Sequence, residues 1–191
     1  MHKFSLVIYF DKKLTNKIIS LQRELYRLTG SHACLDIWQP HLTIGSGIIV
    51  QDENIKQVKK ILKSITSKVS PFEVVVKDFS FMNNWPGGKL PGHTKYLVGL
   101  DVKVNKNLSW LAQVVKLELT DKCKVWYEQP WPYLPHLTIA YKDLNLEGFK
   151  KANEIYKKKN FSGKTLINHI ALVQKNKNGI WKKYVIFKFK K

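Results

Sequence analysis

The pentapeptide Pro-His-Leu-Thr-Ile occurs twice in this chain of 191 residues, at Pro40–Ile44 and again at Pro135–Ile139, and its two histidines stand 95 residues apart. A repeat at half the chain length restricts the fold, because the elements around the two copies match in order. Before the first copy lies FSLVIYF, apolar and β-branched as a strand requires. Then comes LTNKIISLQRELYRL, whose Leu14, Ile18, Leu21, Leu25 and Leu28 recur at the spacing of three and four that marks one helix face. Thr29-Gly30 closes that helix. After the motif follow a second amphipathic pattern, IKQVKKILKSITSKV, and a strand, FEVVVKDFSFM. Beyond the Gly/Pro-dense stretch NNWPGGKLPGH the order begins again. KYLVGLDVKV reads as a strand, LSWLAQVVKLEL as a helix, then PHLTI, LEGFKKANEIYKK as a helix, and strands at KTLINHIALVQ and IWKKYVIFKFK.

An internal duplication accounts for this order. Two strand-rich lobes, residues 1–88 and 89–191, are expected to pack as a single domain, with strands free to cross between them. The array is too short for a solenoid, and two strand-rich lobes facing each other suit it better.

Composition narrows the partners. A hydrophobic fraction of 44%, an aromatic fraction of 12% and six Trp belong to a folded chain rather than a disordered one. The net charge of +19, from 33 Lys+Arg against 14 Asp+Glu, favours a polyanionic partner or substrate. Arginine occurs only at Arg23 and Arg27, so the attraction is that of mobile lysine point charges rather than of the forked guanidinium that reads base edges. Lysine-rich stretches such as KANEIYKKKN and the terminal FKFKK read as solvated faces or edge-strand protection that also feeds this field. Two cysteines, Cys34 and Cys123, are too few and too distant for a disulfide framework, which makes a reducing compartment the default. The run Phe4 to Phe10 is too short for a signal sequence or a membrane span, so the chain is expected in the cytoplasm, without a membrane. No protein partner is expected.

The motif itself carries the chemistry. In a strand His41 and Thr43 share one face while Leu42 and Ile44 take the other, and His136 and Thr138 divide from Leu137 and Ile139 in the same way. Gly45 and Ala140 come next in phase on the polar face. Pro40 and Pro135 suit the start of a strand, where a missing N–H is tolerated. With the lobes face to face, two imidazoles and two hydroxyls line one cleft. Displacement at phosphorus needs a base for the attacking oxygen and an acid for the leaving oxygen, and imidazole fills either role near neutral pH. Thr hydroxyls can donate to the non-bridging oxygens. The sequence leaves open which histidine is base and which acid. With no HExxH, no CxxC and no carboxylate cluster, no metal or other cofactor is expected, and activity should persist in chelator.

Two His-x-Thr-x motifs about a hundred residues apart resemble those of the two-histidine (2H) phosphoesterase superfamily, which includes the 2′-5′ RNA ligase-like proteins and cyclic phosphodiesterases. That resemblance implies an α+β fold, with two pseudo-symmetric lobes of antiparallel sheet and flanking helices around a central cleft, and metal-independent chemistry at 2′-linked or 2′,3′-cyclic phosphates of nucleotides, cyclic dinucleotides or RNA ends. By match to the motifs, His41 and His136 become the acid/base pair and Thr43 and Thr138 the phosphate-binding hydroxyls. Degradation of 2′-5′ oligoadenylate or cyclic dinucleotide messengers is one activity among relatives. An RNA 2′-5′ ligase and a catalytically idle RNA-binding module are the alternatives.

Around the motifs, Trp38, Trp85, Trp131 and Tyr133 offer rings on which a base can stack, Trp131 and Tyr133 being best placed just before His136. Lys142 is read as continuing the polar face of the second motif strand, where it would neutralise phosphate. Lys95 opens the strand that restarts the repeat, and the resemblance implies a cleft contact from such a strand. His93 and His169 lack a threonine two residues on and read as structural.

Overall fold

The structure is a computed structural model that describes residues 1–85, 93–103, 105–123 and 133–190. Among these residues eight strands form two antiparallel sheets. Strands β1 (His2–Tyr9), β2 (His41–Val50), β7 (His169–Lys175) and β8 (Trp181–Lys188) make the first sheet, in the order β2-β1-β7-β8. The second, in the order β5-β4-β3-β6, holds β3 (Phe72–Met82), β4 (Leu97–Val102), β5 (His136–Ala140) and β6 (Ser162–Ile167). Strands cross between the halves of the chain: β3 pairs with β4 and β6, while β7 and β8 complete the sheet of β1 and β2. The run KTLINHIALVQ, expected as one strand, is two, since Asn168 separates β6 from β7 and the pair part into different sheets. An apolar alternation carries no mark of which neighbour each end will find.

The helices follow the apolar spacing. Helix α1 (Lys12–Thr29) starts where the Asp11 carboxylate accepts from the Leu14 N–H at 2.8 Å and stops at Gly30, whose φ of 76° is the left-handed conformation that ends a helix. A short α2 (Ala33–Asp36) precedes the first motif, and α3 (Ile55–Thr66) follows it. Helices α4 (Lys106–Cys123) and α5 (Leu146–Tyr156) flank the second motif in the corresponding places. One continuous core joins the helices to both sheets, and Leu42, Ile44, Leu137 and Ile139 are all at most 2% exposed within it. Each such side chain contributes about 1.5–3 kcal/mol by burial, which anchors the apolar face of both motif strands.

Both motif strands lie at the edge of their sheets, and β2 and β5 touch. The two copies of the motif therefore meet where the edges of the two sheets come together.

Candidate active site

The two copies are distorted alike. On β1, Val7 faces Thr43 and Leu6 faces Gly45, leaving Ile44 as an extra residue; on β4, Gly99 faces Thr138 and Val98 faces Ala140, leaving Ile139 extra. The same β-bulge thus follows the threonine in both motifs. Bulges bend a strand and re-aim its side chains. They also break the simple alternation expected beyond the threonines: Gly45 and Ala140 are buried rather than on an open polar face. His41, Thr43, His136 and Thr138 remain half-buried on the face away from the core.

The imidazoles are held identically. His41 Nδ1 bonds the Gln39 carbonyl at 2.9 Å, and His136 Nδ1 bonds the Leu134 carbonyl at 2.9 Å. A carbonyl only accepts, so Nδ1 carries the proton in both rings and the lone pair of the neutral imidazole lies on Nε2. Each histidine also meets an indole. Trp38 stacks on His41 with ring centres 3.7 Å apart, whereas Trp85 meets His136 edge-on at 4.7 Å.

Beyond this the surroundings differ. The outer face of Trp38 stacks on Trp181 at 4.5 Å, and its N–H donates to the Tyr9 hydroxyl at 3.1 Å. Tyr9 is the cross-strand neighbour of His41, and the Lys183 ammonium lies 4.7 Å from its ring centre. The neighbour of His136 in the corresponding position is Asp101. Burial and the charge of His136 together outweigh the Gln39 bond and push the His41 pKa down to about 4. Burial lowers His136 too, but its Leu134 bond and the Asp101 carboxylate pull the other way. Sequence reasoning missed Tyr9, Asp101, Trp181 and Lys183, because only strand pairing brings them beside the motifs.

The other expected residues are placed as follows. Tyr133 donates its hydroxyl to the Thr43 carbonyl at 2.7 Å, a contact between the two motif segments. Lys142 does not extend the strand: β5 ends at Ala140, and Lys142 turns into the left-handed region with φ 66°. Its charge acts instead on His93, which bonds the Tyr141 hydroxyl at 2.8 Å. The Lys95 ammonium lies over the ring of Tyr96, which packs on Phe149 of α5, while the Lys95 carbonyl accepts from the Trp85 N–H at 2.9 Å. Trp131 lies outside the described residues. Among the described residues no group of three His, Cys, Asp or Glu side chains converges as a metal site requires.

Comparison with known proteins adds the lineage. The model of the 2′-5′ RNA ligase superfamily matches residues 46–179, well over half of the chain. The chain belongs to this superfamily, the 2H phosphoesterases. The matched span includes His136 and Thr138 and begins just after His41 and Thr43, so the first motif rests on the repeat and on its geometry. LigT of E. coli, solved in complex with 3′-AMP, superposes with a TM-score of 0.70 at 13% identity, covering 100% of this chain and 99% of that one. The protein TT0787 of Thermus thermophilus gives 0.70 at 11% identity over 98% of this chain and 97% of its own. A structure described as a phosphoesterase gives 0.67 at 12% identity with both chains fully covered. These likenesses establish the LigT-like α+β fold. A sequence search of curated proteins finds no match. No helix among the described residues is long and apolar enough to cross a membrane.

Proposed function

We propose that this 2H phosphoesterase hydrolyses 2′-linked or 2′,3′-cyclic phosphodiesters of nucleotides or oligonucleotides by acid/base catalysis between His41 and His136. The observation that carries the reading is the matched pair of Nδ1-to-carbonyl bonds, which present two Nε2 atoms on the motif strands that meet at the cleft. The unequal surroundings favour a division of labour. His41, against Trp38 and with no carboxylate paired to it among the described residues, is the base; His136, with Asp101 beside it, is the acid.

For a cyclic phosphate the His41 Nε2 accepts a proton from water as the water oxygen bonds to phosphorus. The bond from phosphorus to the 3′ oxygen breaks, that oxygen takes the Nε2 proton of His136, and the phosphate stays on the 2′ oxygen. Thr43 and Thr138 donate their hydroxyls to the non-bridging oxygens as charge develops there. With a 5′-hydroxyl in place of water as the entering group, the same base and the same acid would join two ends, and the reverse of that step, in which the two histidines exchange roles, would cleave the linkage. The LigT structures with 3′-AMP, ATP and NADP+ support a nucleotide-sized ligand for this fold. A 2′-5′ oligoadenylate or cyclic dinucleotide messenger fits the same chemistry.

The test is a panel of 2′,3′-cyclic nucleotides, 2′-5′ and 3′-5′ oligoadenylates and mixed-linkage cyclic dinucleotides, incubated with the protein in chelator and resolved by chromatography. Cleavage of a 2′-linked or 2′,3′-cyclic member is expected, with 3′-5′ linkages left intact. Silence across the panel would move the reading to an RNA-binding module.

A further inference from the structure

A groove of about 770 Å³ runs between α3 and β8, the open edge strand of the first sheet. Its rim carries Lys59, Lys60 and Lys63 from α3 and Lys188 and Lys190 from the end of the chain, and among the described residues no carboxylate lines it. None of the five lysines makes an ion pair within the described residues. Five ammonium groups without a carboxylate partner along one concavity repel one another. They are positioned to neutralise a row of negative charges.

The floor is apolar, built from Val185, Phe187 and Phe189, and Lys59 lies 4.5 Å from the ring centre of the exposed Tyr184. The Lys190 N–H donates to the Val69 carbonyl at 2.9 Å, which fastens the end of the chain beside α3 and gives that end of the groove a fixed shape. Strand β8 links the groove to the surroundings of His41. Ile186 and Lys188 line it, yet they pair with Ala171 and His169, and Ala171 belongs to the cluster of Val7, Tyr9, Trp38 and Trp181 beside His41. Further along the same strand, Lys183 stands over Tyr9 on the cleft side. Edge lysines that merely blocked strand addition would not need matching lysines on the helix opposite.

We infer that the α3–β8 groove is a binding track for the phosphate backbone of a single-stranded nucleic acid, continuous round the edge of β8 with the catalytic cleft. The inference rests on the phosphodiesterase reading for its choice of partner, and it extends that reading to a polymeric substrate rather than a mononucleotide. Lysine point charges hold successive phosphates without reading sequence, and Tyr184 offers a ring to a base.

The experiment compares the full chain with K60E/K63E/K188E and with a control of equal charge change on α5 and the residues just after it, K150E/K157E/K158E. Affinity for a labelled 20-nucleotide 2′-O-methyl RNA, which keeps the phosphates and cannot form a cyclic phosphate, is measured across a salt series. The groove variant is expected to bind at least tenfold more weakly, with a log–log salt slope shallower by about 2, as the loss of three phosphate contacts on a single strand requires. The control should lose less than threefold. Turnover of a small 2′,3′-cyclic nucleotide should be equal in all three proteins, so failure of the track and failure of the catalytic reading separate cleanly. Equal losses in both variants, or none in the groove variant, would overturn the inference. So would RNA binding that is unchanged while binding to phosphatidylserine vesicles falls, which would make the groove a lipid surface. K60Q/K63Q/K188Q repeats the test with smaller disturbance should the charge reversals fail to fold.

Discussion

Tyr133 donates its hydroxyl proton to the Thr43 carbonyl across 2.7 Å, and so fastens the segment that leads into the second motif to the backbone of the first. The bond falls one residue before the bulge at Ile44. It ties the approach to His136 to the strand that carries His41. Tyr133→Phe keeps the ring and removes the bond, and should lower unfolding free energy by about 1 kcal/mol. Turnover should fall more than affinity does, because two motifs held less firmly meet the transition state less often. Denaturant unfolding beside kcat and KM for one substrate checks both parts, and an unchanged kcat would make the contact a purely structural one.

The pH profile should be bell-shaped with its maximum on the acid side of neutrality. As base, His41 is competent once neutral, above about 4. As acid, His136 must be protonated, and burial puts its pKa below 6.5, so activity falls as pH rises through that value. Asp101→Asn removes the charge that supports the protonated form, and should move the alkaline limb of kcat/KM further towards acid while leaving the acid limb in place. An optimum above pH 7.5, or an unmoved limb, would reverse or remove the assignment of roles.

Trp38 covers one face of His41. Trp38→Ala exposes that ring to water, which relieves the desolvation that holds its pKa down. The midpoint of the His41 imidazole in an NMR titration should rise from about 4 towards 6.5. The acid limb of the pH profile should follow it upward. A titration that does not move would place the cause of the depression elsewhere.

How far the residues announced this arrangement differs from element to element. Period-two alternation was enough to separate His41 and Thr43 from Leu42 and Ile44, and the buried and half-buried positions follow it. The bulges at Ile44 and Ile139 left no local mark, since an isoleucine packed in the core looks the same in or out of a ladder. Lys142 lost its expected phase to one left-handed residue. Trp38 was visible as a ring near the site, but Trp181, far along the chain, occupies its second face, and only the pairing of β7 with β1 and β8 brings them together. Tyr9 and Asp101 depend in the same way on register, which local sequence does not encode.

Gly99 lies opposite Thr138, where a Cβ would come within 3.1 Å of the Leu137 carbonyl and 3.0 Å of Ser80 Oγ. The Ser80 hydroxyl is buried without a partner among the described residues. Gly99→Ala therefore presses on the backbone of the second motif, and should cost about 1–3 kcal/mol of stability as overpacked sites do. Turnover should fall as well, since the displaced atom lies between His136 and Thr138. Thermal unfolding with parallel kinetics reads both, and a variant as stable and active as the parent would mean the strand yields freely.

The most direct measurement is turnover of the best panel substrate, in chelator, by the parent, His41→Ala and His136→Ala, each shown to be folded by circular dichroism. Loss of a general acid or base costs about 10²–10⁴ in rate, so each variant should fall by at least a hundredfold with little change in substrate affinity. Full activity in either folded variant would contradict two-histidine catalysis in this cleft.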